Sequence, residues 1–219
     1  MAGIDSLVLE CDDVAAAEAF YAALALPAPL TVTPSGAPTS GFRGYTLSVV
    51  VPRPSVVDVF LDAALEAAAT ALKPARKSFW GYGGVVQAPD GAVWKVATSS
   101  KKTDDAPAGR EVDDLVLLLG VEDVKATRQF YVDHGFTVAK SFGSRYVEFA
   151  SGSSPVKLAL YGRRALAKDA GVPPDGSGSH RLLIGSGAGP FTDPDGFAWT
   201  SASDRATTAS SAAQTEQRR

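Results

Sequence analysis

The sequence predicts an α+β fold built by internal duplication, and three repeated features carry that prediction. Ile4 to Cys11 (IDSLVLEC) and Val112 to Leu119 (VDDLVLLL) are strand-like and share a Leu-Val-Leu core. Each is followed by Asp-Val and then Phe-Tyr at one spacing: Asp13-Val14 with Phe20-Tyr21, and Asp123-Val124 with Phe130-Tyr131. Each half closes on Pro-Asp-Gly and a tryptophan at one offset: Pro89-Asp90-Gly91 with Trp94, and Pro194-Asp195-Gly196 with Trp199. Strand, helix and terminal hairpin, twice over, is a duplication.

The elements follow in chain order. After the first strand, Asp13 reads as a helix N-cap, and Val14 and Tyr21 share one helix face. The Pro/Gly/Ser/Thr stretch from Pro27 to Gly41 leaves little room for a strand beyond Leu30 to Thr33. Gly44 to Val51 predicts a strand and Ser55 to Leu72 a helix. Ser55 with Asp58 resembles a capping box, and Val57, Leu61, Ala64, Leu65, Ala68 and Leu72 form the expected buried stripe. Pro89-Asp90-Gly91 then turns the chain into a last strand. In the second half, Phe136 to Phe142, Arg145 to Phe149 and Val156 to Tyr161 predict strands. No counterpart of the second helix follows. His180 to Ile184 leads through a flexible Gly185 to Gly189 connection to Phe191 and the last turn. The expected division is a first domain over residues 1–100, a linker over 101–111, a second domain over 112–203 and a disordered tail over 204–219.

Composition narrows the function classes. The formal net charge of −3 has the wrong sign for a nucleic-acid or anionic-membrane partner, and neither is expected. Cys11 is the only cysteine, which excludes an internal disulfide, and with no basic neighbour it reads as a buried, inert thiol. Met1 to Val14 lacks the pattern of a signal peptide, and no apolar run reaches the roughly 20 residues that span a bilayer. The expected location is the cytoplasm. His134 and His180 are the only histidines, so a His-rich metal site is excluded by count. His134 reads as structural.

The order and repetition of these motifs resemble the vicinal-oxygen-chelate superfamily of glyoxalase I, bleomycin-resistance proteins and extradiol dioxygenases. The run from Ala63 to Ala97 is similar to a second module of that family: an alanine-rich helix, Lys73-Pro74-Ala75, Phe79-Trp80-Gly81-Tyr82-Gly83-Gly84, then Pro89-Asp90-Gly91 and Trp94. The resemblance implies duplicated βαβββ modules, partly degenerate, forming two curved mixed sheets. It also implies a divalent metal held by the first and last strand of each module. The first-strand position matches Ser6 and Asp114, falls near Ser48 in the second module, and is matched by His180 in the fourth. The last-strand position, a glutamate in metal-binding relatives, holds Lys95 and Thr200. An ammonium has no lone pair for a metal, so the first half is not expected to hold one.

Three readings stand at this point. The first is a metal-free protein of the sequestration or resistance type, without cofactor, binding a small planar ligand through Phe79, Trp80, Tyr82, Lys95, Tyr146 and Tyr161. The second is a metal-dependent lyase, isomerase or dioxygenase with a residual site at Asp114 and His180. The third is a non-catalytic structural or interaction protein whose aromatic residues are core. Arg145 and Arg163, with Lys95, are further candidates to pair with an anionic group. The expected partner is a small molecule, and the expected state a monomer or homodimer.

Overall fold

The computed structural model describes residues 2–26, 29–102 and 109–201. The tail expected over 204–219 and most of the linker therefore lie outside the described residues.

The first half runs β1 (Ile4–Cys11), α1 (Val14–Leu24), β2 (Leu30–Pro34), β3 (Thr39–Gly41), β4 (Tyr45–Val50), α2 (Pro54–Glu66), β5 (Thr70–Ser78), β6 (Gly81–Gln87) and β7 (Val93–Thr98). The second runs β8 (Asp114–Val121), α3 (Val124–Asp133), β9 (Val138–Phe142), β10 (Tyr146–Phe149), β11 (Lys157–Gly162), α4 (Arg163–Ala170), β12 (Gly176–Gly178), β13 (Leu182–Ser186), β14 (Phe191–Thr192) and β15 (Ala198–Thr200). Asp13 and Asp123 cap α1 and α3 by accepting backbone N–H groups of the first turn.

Two modules are complete, β4-α2-β5-β6-β7 and β8-α3-β9-β10-β11. They join edge to edge as an eight-stranded sheet in the order β5-β6-β7-β4-β8-β11-β10-β9. The outer two are shortened. They form a five-stranded sheet, β14-β15-β13-β1-β2, and β3 pairs with β12 apart from both. Each large sheet therefore takes strands from both sequence halves. Both are mixed, because β4 runs parallel to β7 and antiparallel to β8, and β1 runs parallel to β2 and antiparallel to β13. Leu7, Leu9 and Ile184 of the smaller sheet and Leu47, Leu117 and Trp94 of the larger one belong to a single core.

The repeated motifs meet in that core. The Tyr21 hydroxyl donates to Asp90 Oδ2 at 2.6 Å and accepts from Trp94 Nε1 at 3.4 Å. The Tyr131 hydroxyl donates to Asp193 Oδ2 at 2.7 Å and accepts from Trp199 Nε1 at 3.1 Å. Burial raises both tyrosine pKa values well above 10. The two copies are not identical. Asp90 is the middle residue of its turn, whereas Asp193 precedes Pro194, and Asp195 instead accepts from Thr127 Oγ1 at 2.9 Å.

Four expectations are corrected. The second helix ends at Glu66, not Leu72, because Ala68 takes a positive φ of 65° and Thr70–Ser78 becomes an edge strand. Pro74 is tolerated there because an edge strand has one face of its backbone unpaired. The capping box is absent: Arg53 is the N-cap, Pro54 opens the helix, and buried Ser55 Oγ has no hydrogen-bond partner among the described residues. Leu65, placed in the buried stripe, is 43% exposed. His180 lies before the strand, which starts at Leu182 and runs on through Gly185 and Ser186. The unpredicted elements include β3, its partner β12, β5 and α4. The second half does lack a helix between β13 and β14 among the described residues.

Candidate functional site

The register between β6 and β7 sorts the candidate residues onto two faces. Tyr82 pairs with Thr98, Gly84 with Val96 and Val86 with Trp94, and these side chains point toward α2. The Tyr82 hydroxyl donates to Asp58 Oδ1 of α2 at 2.7 Å, and that bond raises its pKa to about 12. A Cβ at Gly84 would meet Leu61 Cδ1 of α2 at 2.7 Å, so glycine lets the helix approach. Gly83 with Ala97 and Val85 with Lys95 occupy the other face.

That other face carries α4. Leu166 and Ala167 pack with Leu118, Tyr161 and Phe42, and Ala170 packs with Val85 and Val93. The helix is tied down at its C-terminal end. Lys73 Nζ donates to the Lys168 and Asp169 carbonyls at 2.7 and 2.6 Å, where helix carbonyls lack partners and a cation is favoured. Lys95 Nζ lies 2.6 Å from Asp169 Oδ2.

Beside this end of α4 is a cleft of about 210 Å³ lined by Arg76, Trp80, Gly83, Lys95, Ala97 and Asp169, among others. Gly83 and Ala97 make a low floor. Arg76 stands over Gly83 in the register of β5 and β6. Trp80, in the turn before β6, is 82% exposed at the mouth. The cleft is therefore cationic on two sides, with one aromatic wall.

Of the residues expected to bind a ligand, the structure brings Trp80, Tyr82 and Lys95 into the lining of this cleft. The Tyr82 hydroxyl is turned to Asp58 of α2. Phe79 stands outside on the hairpin tip, 80% exposed. Tyr146 and Tyr161 pack against each other at 6.2 Å, and Tyr146 donates to Glu148 Oε2 at 3.0 Å. Three strand spacings, roughly 14 Å, separate β11 from β7, and α4 lies between. Arg163 is engaged by the carbonyls of Pro174 and Phe42.

The positions that the resemblance assigns to a metal do not make a donor set. One register row of the eight-stranded sheet reads Lys95, Ser48, Val116 and Lys157. Asp114 is held by Lys157 Nζ at 2.7 Å. In the five-stranded sheet the corresponding row is Ser6, Gly185 and Thr200. His180 is in neither row. Its ring nitrogens face the Arg43 and Asp195 carbonyls at 2.5 and 3.1 Å, and it stacks on Phe197 at 4.0 Å. Asp114 and His180 are thus not brought together, and among the described residues no three His, Cys, Asp or Glu side chains cluster. Ammonium, hydroxyl and alkyl groups do not fit a divalent cation.

Sequence reasoning missed Lys73, Arg76 and Asp169. The first two were hidden by running the helix on toward β5. Asp169 had a local signal, since Arg163 to Ala170 is rich in helix formers and ends at Gly171, the left-handed C-cap that stops such a helix.

Comparisons with known proteins identify the fold. No family model matches the sequence, and no curated relative matches it either. Solved structures do match. Glyoxalase I from Zea mays superposes with a TM-score of 0.58 at 12% identity, covering 92% of each chain. A Bacillus subtilis protein, named for an expected dioxygenase activity, superposes with a TM-score of 0.52 at 13% identity, over 84% of this chain and 69% of its own. The chain has a glyoxalase-like α+β fold. No helix among the described residues is long and apolar enough to cross a membrane.

Proposed function

We propose that the chain binds a small planar anion in the cleft between β5–β7 and the C-terminal end of α4, without a metal. The observation that carries this reading is the convergence of Trp80, Arg76 and Lys95 on a floor of Gly83 and Ala97. A flat ring stacks on the indole, and a carboxylate meets the guanidinium, which presents paired N–H donors in a fork. Lys95 has three N–H donors, of which Asp169 uses one, so the ammonium can take a ligand oxygen as well. A volume of about 210 Å³ suits a single-ring acid, being below the roughly 300 Å³ at which drug-sized pockets begin.

A second reading is favoured by α4 itself. Leu166, Ala167 and Ala170 fill the middle of the sheet face, which is what a structural or interaction protein with closed clefts would show. Calorimetric titration with benzoate, salicylate and cinnamate decides between the two. Micromolar binding that Arg76→Ala and Lys95→Ala each weaken about tenfold supports the ligand reading. Nothing tighter than millimolar, or no response to either substitution, rejects it.

A further inference from the structure

We propose that the tip of the β5–β6 hairpin docks the protein on an anionic lipid surface. The tip is Phe79-Trp80, and its side chains are 80% and 82% exposed, with rings edge to face at 5.0 Å. Two-residue hairpin turns are the place of Asn-Gly and similar pairs. Two large aromatic rings there contribute nothing to the turn and leave apolar area in water. The other large exposed apolar residues among those described are Leu65, Val132 and Phe142, on separate elements.

A cationic collar surrounds the tip. Arg76 and Lys77 precede it on β5, one on each face, and both are exposed. Lys101 Nζ lies 5.4 Å from the Phe79 ring centroid, and exposed Lys102 follows. Among the described residues none of these four makes an ion pair with a carboxylate. Asp58, on α2, accepts from Tyr82. Aromatic side chains favour the headgroup level of a bilayer, and basic residues are drawn to an anionic leaflet over about a Debye length. Each signal alone is weak, and the two together hold a protein at a surface. A protruding tip with both rings exposed suits a deformable lipid layer, which closes around a projecting side chain. The sequence reading expected no membrane partner from the net charge, and a net charge does not describe a local patch. The inference goes beyond the ligand reading: Phe79 does not line the cleft, so the two readings fail separately.

The test is sedimentation of the full chain with vesicles of phosphatidylcholine alone or mixed with phosphatidylserine. Tryptophan emission gives a second readout: Trp94 and Trp199 are 1% and 3% exposed, so a blue shift on adding vesicles reports Trp80. Expected are binding to the phosphatidylserine vesicles only, loss on adding salt, and at least tenfold weaker partitioning, roughly, for Phe79→Ser and for Lys101→Glu with Lys102→Glu. Asp104→Asn with Asp105→Asn, just beyond the collar in sequence, is expected to strengthen it. Unchanged melting temperatures of the Phe79 and lysine variants show that folding is intact. No binding to phosphatidylserine vesicles, or binding indifferent to Phe79→Ser, overturns the proposal. A dimer in sedimentation velocity that Phe79→Ser dissociates overturns it too, in favour of self-association.

Discussion

Lys95 of β7 and Asp169 of α4 form an ion pair of 2.6 Å that joins the floor of the cleft to the helix lying over the sheet. Both side chains are partly exposed, at 35% and 44%, so the pair contributes little stability, within about 1 kcal/mol. Asp169→Asn should therefore leave the melting temperature nearly unchanged. It should also strengthen binding of an aromatic carboxylate severalfold, because Asp169 competes for the same ammonium. Weaker binding in that variant would show that Asp169 shapes the cleft rather than competes in it.

The buried Tyr131 hydroxyl serves Asp193 and Trp199 at once. Tyr131→Phe leaves a carboxylate oxygen and an indole N–H without that partner. It should cost about 1–3 kcal/mol in urea denaturation. Tyr21→Phe should cost less, because its bond from Trp94 is already long at 3.4 Å.

Gly81 starts β6 at φ +138°, and a Cβ there would lie 1.9 Å from the Thr98 carbonyl oxygen. Backbone cannot yield as a flexible side chain can. Gly81→Ala should destabilise by more than about 2 kcal/mol, measured by thermal unfolding. A neutral outcome would mean that the hairpin can shift off β7 at no cost.

Tyr82 gives a pH dependence with a definite sign. Its folded pKa is raised to about 12 by the bond to Asp58, against an ordinary value of 10. The proton-bound form is favoured by folding, so the contribution is fully present below pH 10 and is lost as pH rises from 10 through about 12. Its size is reduced by solvent, since the bond is at the surface. Tyr82→Phe should flatten stability over that window, followed by denaturation at stepped alkaline pH, and lower stability below pH 10 by the same small amount that the native protein loses across it.

The fold was legible wherever a short-range pattern recurred. Tyr21, Tyr131, Trp94 and Trp199 stand at repeated offsets because each tyrosine bonds the tryptophan of its own half. Lys95 was legible from its place on the terminal strand. Tyr82 was legible as a lining residue, but the direction of its hydroxyl was not, for a specific reason. Two-residue spacing puts side chains on one face only within a strand, and Trp80 belongs to the turn before β6. The partner of Lys95 was not legible at all, because Asp169 is 74 residues away on a helix that no repeat announces. In the shortened outer modules Ser6 and Thr200 still share a register row through Gly185, but His180, matched to them by the sequence resemblance, lies outside it.

The strand order also sets a schedule for synthesis. The eight-stranded sheet can close once Gly162 has left the ribosome, but β1, made first, pairs with β13, which ends at Ser186. Until then β1 is paired only with the five-residue β2, and its other edge is open. Partners so distant in sequence make for slow closure and a long-lived exposed edge. The start of the chain is thus the part with most need of a chaperone, and truncation anywhere before β13 strands it.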